Sequence, residues 1–270
     1  MLNARTVFDR DGISVSDVRC SHAKGAAPDD EPAPENAVVF VRRGCFVRSA
    51  AGGRQVLDPT LAYCMHAGEE QRYDHPHADG DDCTAIALSP DLVASLWGGD
   101  PALPTAAIPT SSEIDLRHRL LLSAAGASHD EHELYERALA LLAATLAVAS
   151  AIRVSAGRPA TARARRTIVE SAREALTERP DRSLPELARI TSTSPHHLSR
   201  VFRAEAGHTI SRQRIRLRAR AALDRLADGD ENLARLAADV GFADQSHLCR
   251  VLVEETGRTP SALRRALSHV

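Results

Sequence analysis

A long apolar segment is missing from this chain of 270 residues. Its longest stretch without a charged side chain, residues 138–152, is shorter than the roughly 20 apolar residues that a helix needs to cross a bilayer. The amino-terminal residues also lack the basic-then-apolar pattern of a secretory signal. These two absences predict a cytoplasmic protein with no membrane partner.

Recognisable catalytic motifs and a disulfide framework are missing as well. The chain contains no nucleophile elbow, no phosphate-binding loop and no pair of catalytic carboxylates. An enzyme is therefore not expected, and no cofactor is assigned. The five cysteines are an odd number without CxxC spacing, which predicts reduced thiols. They are Cys20, Cys45, Cys64, Cys83 and Cys249.

Charge is distributed unevenly along the chain. Residues 161–270 contain 20 arginines against 14 acidic residues, a net charge of +6, whereas the whole chain has 34 basic and 36 acidic residues. The first 160 residues therefore carry 14 basic and 22 acidic side chains, a net charge of −8. A basic half joined to an acidic half indicates that one half meets phosphate and the other does not.

Short β-like runs characterise residues 37–88. Residues 38–41, 45–47 and 85–88 are apolar, and glycine and proline turn signals separate them. This spacing predicts a small β-barrel or sandwich within a domain of residues 1–110. Residues 1–35 show no clear period, and they are expected to include a loop because residues 23–35 are rich in Asp, Pro and Ala.

Two helices are predicted next, over residues 112–122 and 131–152, in a helical region of residues 111–154. The second helix carries two adjacent apolar seams. One seam is expected to pack on its own domain, and the other either packs there too or pairs two subunits into a homodimer. Residues 155–162 are the predicted linker, since they contain glycine and proline.

A stretch of fifteen residues occurs twice in the basic half, fifty positions apart. Residues 197–211 align with residues 247–261, and His, Leu, Arg, Val, Glu, Gly, Thr and Ser recur in step. Each copy lies in a helix that follows a shorter helix and a turn, with Ser194 or Asp244 as the capping residue and a glycine at the end. This is the helix-turn-helix pattern, so residues 163–268 are predicted to be all-α with two such motifs.

A long helix over residues 211–227 is predicted to join the two motifs. At 1.5 Å per residue, its length of about 25 Å suits two recognition helices in successive major grooves, which lie about 34 Å apart. The helix is expected to contact phosphate through its arginines, with a solvated surface as the alternative interpretation. These arginines are Arg212, Arg214, Arg216, Arg218 and Arg220.

The motif sequences resemble those of AraC-type transcription regulators. Residues 241–250, Gly-Phe-Ala-Asp-Gln-Ser-His-Leu-Cys-Arg, and residues 257–264 are similar to the signature of that family, and residues 198–202 match its first motif. The amino-terminal half is similar to the cupin-like effector domain that many members carry, at residues 39–44 and 75–84.

This resemblance implies a regulator of transcription, activator or repressor, whose partners are double-stranded DNA, RNA polymerase and a small-molecule effector. It places the DNA-contacting side chains on the exposed faces of the two recognition helices. These side chains are His196, Ser199, Arg200, Arg203, Gln245, Ser246, His247, Cys249 and Arg250. The chain has Val253 where the family often has a basic residue, which predicts a weaker hold on phosphate by the second motif.

The amino-terminal half also contains a motif typical of metal binding. His75-Pro76-His77, followed by Asp81 and Asp82, resembles the metal motif of cupin enzymes, with aspartate in place of the usual glutamate. The candidate ligands are His75, His77, Cys83 and Cys20. The competing interpretation is that these residues belong to the loops and core of a barrel that binds an organic effector.

Two alternative functions follow from this motif, a cupin-type metalloenzyme with a helical appendage and a metal- or thiol-responsive regulator. The duplicated helix-turn-helix favours a regulator over an enzyme, because an enzyme has no use for two DNA-binding motifs.

Overall fold

The computed structural model describes residues 2–21, 29–75, 80–97, 102–127, 130–154 and 159–268. The strands are β1 Leu2–Arg10, β2 Ile13–Cys20, β3 Asp29–Pro32, β4 Ala37–Arg43, β5 Phe46–Ala50, β6 Gly53–Leu57, β7 Leu61–Met65, β8 Glu70–Asp74, β9 Asp81–Leu88 and β10 Ile108–Pro109. The helices are α1 Pro90–Leu96, α2 Ser112–Gly126, α3 Glu131–Val154, α4 Pro159–Glu178, α5 Leu184–Ile190, α6 Pro195–Ala206, α7 Ile210–Ala227, α8 Leu233–Asp239, α9 Gln245–Thr256 and α10 Pro260–Leu267. The predicted α+β class is confirmed.

Two antiparallel sheets form the amino-terminal half. One has the strand order β1-β2-β9-β4-β7-β10, and the other has the order β3-β8-β5-β6. Apolar side chains from alternate strand positions fill the space beside the first sheet, where Val38, Phe40 and Ile86 are buried together with residues of α2 and α3. This arrangement matches the predicted barrel or sandwich, and it places the ends of β2, β8 and β9 close together.

The first hairpin lies in residues 2–20, where the sequence shows no clear period. Strands β1 and β2 pair from Leu2 with Cys20 to Arg10 with Ile13. Their turn is Asp11-Gly12, with φ values of 48° and 80°, as two-residue hairpin turns require. Asp-Gly was therefore an available hairpin signal, and the alternate burial along β2 supports it.

Helix α3 packs against the amino-terminal core with residues from both of its apolar seams. Leu134 and Leu141 of the first seam are buried, and so are Leu142 and Leu146 of the second. By length and composition α3 is apolar enough to cross a membrane, but this burial gives it a core position. From residue 140 to residue 151 the exposed positions of the helix are small residues: Ala140, Ala143, Ala147, Ser150 and Ala151.

Capping residues define the helices of the carboxy-terminal half. Ser194 Oγ accepts a hydrogen bond from the backbone N–H of His197 at 3.2 Å at the start of α6, and Asp244 Oδ1 accepts one from His247 at 2.7 Å at the start of α9. Gly207 and Gly257 end these helices in the left-handed region, with φ values of 74° and 70°. The predicted pair of helix-turn-helix motifs is therefore α5–α6 and α8–α9, joined by α7. Residues 155–158 of the predicted linker lie outside the described residues, and α4 begins at Pro159.

Helices α4 and α7, which flank the first motif, are docked on the amino-terminal half at what we call the Asp58 interface. Asp58 lies in the turn between β6 and β7 and is fully buried. Arg173 of α4 donates from Nη1 to Asp58 Oδ2 at 3.1 Å and to Thr60 Oγ1 at 2.8 Å. Gln213 of α7 donates to the same Thr60 Oγ1 at 3.0 Å. Since Thr60 Oγ1 also donates to Asp58 Oδ1, the four side chains form one buried network.

The second motif is docked at what we call the Asp115 interface. Arg220 of α7 is 2% exposed and binds Asp115 of α2 at 3.0 Å and the carbonyl oxygen of Thr110 at 2.8 Å. Arg119 of α2 bridges Asp115 at 3.0 Å and Asp224 of α7 at 2.5 Å. Although burial raises the pKa of Asp115, the guanidinium groups of Arg119 and Arg220 hold it below the ordinary value. The carboxylate is therefore ionised, and α2 and α7 are joined through charge.

Candidate DNA-binding surface

The outward face of α6 carries the polar side chains that the sequence assigns to DNA. The exposed residues of this face are His196, Ser199, Arg200 and Arg203. The opposite face is formed by Leu198, Val201 and Phe202, which are buried. The helical period therefore separates a core face from a polar face, and the polar face is accessible to a ligand.

Helix α9 repeats this division with a different set of side chains. The exposed or half-buried residues are Gln245, Ser246, His247, Cys249 and Arg250. The buried residues are Leu248, Val251 and Leu252. His247 is held by the ring of Phe242, with 5.2 Å between the ring centroids. Both recognition helices thus present one polar face, and all nine predicted DNA-contacting side chains lie on these faces.

Among the described residues, the arginines of the two recognition helices form no ion pairs with carboxylates. Glu205, an acidic residue of the same helix as Arg200, lies 3.9 Å from Arg165. Arg200 contacts His197 Nδ1 at 3.2 Å. Arg203 makes no ion pair within the part of the chain that the structure describes, and the same holds for Arg250. Their guanidinium groups are available for an external acceptor.

Among the five arginines of α7 that are expected to contact phosphate, Arg220 differs from the expectation. Arg220 is buried in the Asp115 interface, so it does not lie on the DNA-facing surface. Arg212 pairs with Glu255, and Arg214 donates to the carbonyl oxygen of Arg182. Arg216 lies 3.4 Å from His208 Nδ1. The alternation of arginine along α7 therefore reflects its contacts with both halves of the protein, which a sequence count does not reveal.

The two motifs differ in their turns and in one exposed position. The turn of the first motif places Ser192 in the left-handed region with φ of 51°, whereas the turn of the second motif has Gly241 there with φ of 85°. Val253 of α9 is 44% exposed, so its side chain is accessible on the surface of the second motif. Arg203 is the equivalent residue of α6. The prediction of unequal phosphate binding rests on this difference.

The predicted metal ligands are partly brought together. Cys20 and His75 are adjacent, with 3.5 Å between Sγ and Nε2. Cys83 Sγ lies 3.5 Å from Asp81 Oδ1, and Asp81 Oδ2 lies 2.9 Å from His75 Nε2. His77 falls in residues 76–79, outside the described residues. Asp81 therefore joins Cys20 and His75 in a buried cluster.

A cavity of about 100 Å³ separates the two halves beside the Asp115 interface. It is smaller than the roughly 300–1,000 Å³ of a pocket for a drug-sized ligand. Two guanidinium nitrogens at this place, Arg42 Nε and Arg119 Nη2, are buried without a hydrogen-bond partner among the described residues. Charged side chains from both halves dominate its lining: Arg19, Arg42, Arg43, Asp82, Arg119, Asp224 and Asp228.

Comparison with known proteins gives matches that centre on the carboxy-terminal half. Residues 187–266 match the helix-turn-helix domain family. The HTH-type transcriptional regulator Rv1931c of Mycobacterium tuberculosis is 31% identical over 83 residues, which cover 31% of this chain and 32% of that protein. The chain thus spans about a third of the length of this curated relative.

Two solved structures are similar to this chain at lower sequence identity. The C-terminal domain of AraT, a response regulator from Geobacillus stearothermophilus, is 25% identical with a TM-score of 0.34, covering 36% of this chain and 84% of that domain. ToxT from Vibrio cholerae is 10% identical with a TM-score of 0.38, covering 96% of this chain and 100% of ToxT. The match to the family and the two observed motifs lead to the same conclusion: residues 187–266 form a helix-turn-helix domain.

Proposed function

We propose that this protein is a sequence-specific, DNA-binding regulator of transcription whose amino-terminal half responds to a small-molecule effector. The observation that supports the proposal most strongly is which arginines are buried and which are exposed. Arg220 and Arg173 are buried in contacts between the two halves, whereas Arg200 and Arg250 stand exposed on the two recognition helices. Charge is therefore available where a helix-turn-helix motif meets DNA.

The exposed side chains suit direct reading of base edges in the major groove. An arginine binds guanine O6 and N7 with two hydrogen bonds, and a glutamine does the same with adenine N6 and N7. Arg200 and Arg250 would take the first role and Gln245 the second. Arg203 lies one turn further along α6 and would bind phosphate, which fixes register without reading sequence.

Replacement of Arg200 by alanine tests this assignment. A genome-wide map of bound DNA first supplies the site, and gel-shift titration then compares the variants on it. We expect Arg200→Ala to weaken specific binding by about 1–3 kcal/mol, which corresponds to the loss of one bidentate base contact. Arg117→Ala is the matched control, because Arg117 is exposed on α2, belongs to neither recognition helix and pairs with Glu113 at 2.6 Å.

The two variants separate the possible outcomes of the titration. An unchanged affinity and footprint for Arg200→Ala would contradict the base contact. Equal losses in Arg200→Ala and Arg117→Ala would indicate a general effect of charge on DNA affinity. Failure of the unmodified protein to enrich any DNA would contradict the proposed function itself.

An effector that acts on DNA binding must change how the two halves meet. The charged cavity between them supports this proposal, because a small ligand there would touch Arg42 of the amino-terminal half and Asp224 of α7 together. A thermal-shift screen tests for such a ligand, since a molecule that binds only the folded state raises the melting temperature. No change with any small anion or organic acid would argue for a purely structural amino-terminal half.

The proposal extends to the assembly of the protein and to its partners in the cell. We infer a cytoplasmic homodimer that binds double-stranded DNA and contacts RNA polymerase, with no catalytic activity of its own. The small outward-facing residues of α3 support pairing of subunits. Light scattering of the purified protein checks the dimer, and Ala143→Glu on this face is expected to yield monomers. Monomers from the unmodified chain would contradict the homodimer.

A further inference from the structure

Three metal-ligating side chains of different elements converge at one end of the amino-terminal half. Cys20 ends β2, His75 directly follows β8, and Asp81 begins β9. Their ligand atoms all lie within 4.8 Å of one another. We propose that Cys20 Sγ, His75 Nε2 and an Asp81 carboxylate oxygen bind a borderline-soft divalent cation of the Zn²⁺ class. This site is independent of the proposed DNA binding.

The backbone fixes this convergence. Cys20 and Asp81 are direct partners in the antiparallel pairing of β2 with β9, so their side chains share one face of the sheet. Gly80 precedes Asp81 with φ of 68°, and a Cβ at this position would lie 2.1 Å from the carbonyl oxygen of Cys20. Only glycine fits such a close approach. His75 approaches from the other sheet, with its ring 6.0 Å from that of Phe46.

The spacing of the three ligand atoms is close to that of a tetrahedral site. Zn–S, Zn–N and Zn–O bonds of about 2.3, 2.05 and 2.1 Å imply separations of about 3.6 Å between S and N and about 3.4 Å between N and O. The observed separations are 3.5 Å from Cys20 Sγ to His75 Nε2 and 2.9 Å from His75 Nε2 to Asp81 Oδ2. Cys20 Sγ and the carboxylate oxygen lie within 4.8 Å of each other, where the same bond lengths imply about 3.6 Å.

The chemistry of the ligands also suits this class of cation. A thiolate, a neutral imidazole and a carboxylate supply two negative charges, which balance a divalent ion. Cys20, His75 and Asp81 are each less than a tenth exposed, and buried charges are stable when they are paired or coordinate a metal. A soft sulfur and an imidazole nitrogen disfavour Mg²⁺ and Ca²⁺, which prefer oxygen ligands.

Cys83 contacts the ligand Asp81 and is not itself a proposed ligand, so the site has three protein ligands. Its Sγ donates to Asp81 Oδ1 at 3.5 Å, so it orients the oxygen that faces away from His75. Such outer contacts hold a ligating group in place. Three protein ligands leave the fourth tetrahedral position to water or to an exogenous ligand, as in open zinc sites. The amino-terminal half would therefore offer a metal-centred binding site for a small anionic or thiol-bearing molecule.

Titration of the chelator-treated full-length chain with Co²⁺ tests the site. We expect one equivalent to produce the ligand-field bands of tetrahedral Co²⁺ and a thiolate-to-cobalt charge-transfer band, which Zn²⁺ then displaces. Cys20→Ser should abolish the charge-transfer band, and His75→Gln should weaken Co²⁺ binding at least tenfold. Cys249→Ser is the matched control, because this thiol lies on α9, and it should leave the spectrum unchanged.

Protection of the thiol supplies a measurement that needs no variant. Zn²⁺ should slow the alkylation of Cys20 in the unmodified protein and leave the rate at Cys249 unchanged, which peptide mass mapping resolves. The absence of cobalt bands, or equal alkylation of Cys20 with and without Zn²⁺, would overturn the proposal. So would a charge-transfer band that persists in Cys20→Ser. The outcome does not depend on DNA binding, so a failed gel shift and a failed titration are distinguishable.

Discussion

Removal of one charge from the Asp58 interface should cost much of the stability of the docked protein. Asp58→Asn keeps the shape of the side chain and removes its charge, and it leaves Arg173 without a counter-ion. The side chains of Arg173 and Asp58 are 6% and 0% exposed. Loss of one partner from a buried ion pair costs about 3–5 kcal/mol, mainly because a charge stays buried and unpaired.

The expected magnitude lies near the lower end of that range. Arg173 keeps its hydrogen bond to Thr60 Oγ1 at 2.8 Å, and an asparagine oxygen still accepts from Arg173. We therefore expect Asp58→Asn to lower the free energy of unfolding by about 3 kcal/mol. In Asp58→Asn/Arg173→Met the unpaired charge is gone, so the coupling energy of the pair should be about 2–3 kcal/mol.

Urea unfolding of the four proteins of this double-mutant cycle measures the coupling energy. The control is a second cycle on Glu113 and Arg117 of α2, an exposed pair at 2.6 Å, for which about 0.3–0.5 kcal/mol is expected. In Asp58→Asn the helical circular dichroism and the fluorescence of Trp97 should also cease to coincide, because the docked halves separate. A coupling energy equal to that of the control cycle would refute the reasoning.

Three further predictions concern single positions. Burial lowers the pKa of His118 to about 3. The contribution of His118 to the free energy of unfolding is therefore complete above about pH 6.5 and is lost toward pH 3, at up to about 1.4 kcal/mol per pH unit. His118→Gln should reduce this pH dependence in urea unfolding at pH 7 and pH 5, and an equal pH dependence in both proteins would contradict the prediction. Val253→Arg should add one phosphate contact and steepen the salt dependence of DNA affinity by about one counter-ion, measured by gel shifts over a salt series; an unchanged slope would place Val253 away from the backbone. Ser192→Gly should stabilise the first motif by about 0.5–1 kcal/mol, because φ of 51° strains a serine, whereas the reciprocal Gly241→Ser should destabilise the second motif, and thermal melts compare the two.

The helices of the DNA-binding half were predictable because capping residues next to each helix mark where it begins and ends. Ser194 and Asp244 cap the recognition helices, and Gly207 and Gly257 end them. Such signals act over three or four residues and need no tertiary context. The same applies to the polar faces of α6 and α9, since a helical period alone places His196, Ser199 and Arg200 together.

The contacts between the two halves could not be predicted, because they join positions far apart in the sequence. Arg173 and Asp58 are 115 residues apart, and Arg220 and Thr110 are 110 residues apart. An arginine with a buried partner and an arginine for phosphate have the same local sequence signal. The β1–β2 hairpin is different, since Asp11-Gly12 is a local turn signal that the sequence itself contains.

The docking of α7 limits which segments of the chain could be joined to the sensor domain of another protein. Gln213 and Arg220 are seven residues apart on one helix, about 10 Å, and each is bonded to a different segment of the amino-terminal half. A hybrid that joins residues 159–268 to another sensor would retain both motifs and lose both anchors. It would also expose the guanidinium of Arg220 to solvent without the carboxylate of Asp115. A working hybrid would have to carry equivalents of Thr60, Thr110 and Asp115, so the unit of exchange is larger than the DNA-binding half alone.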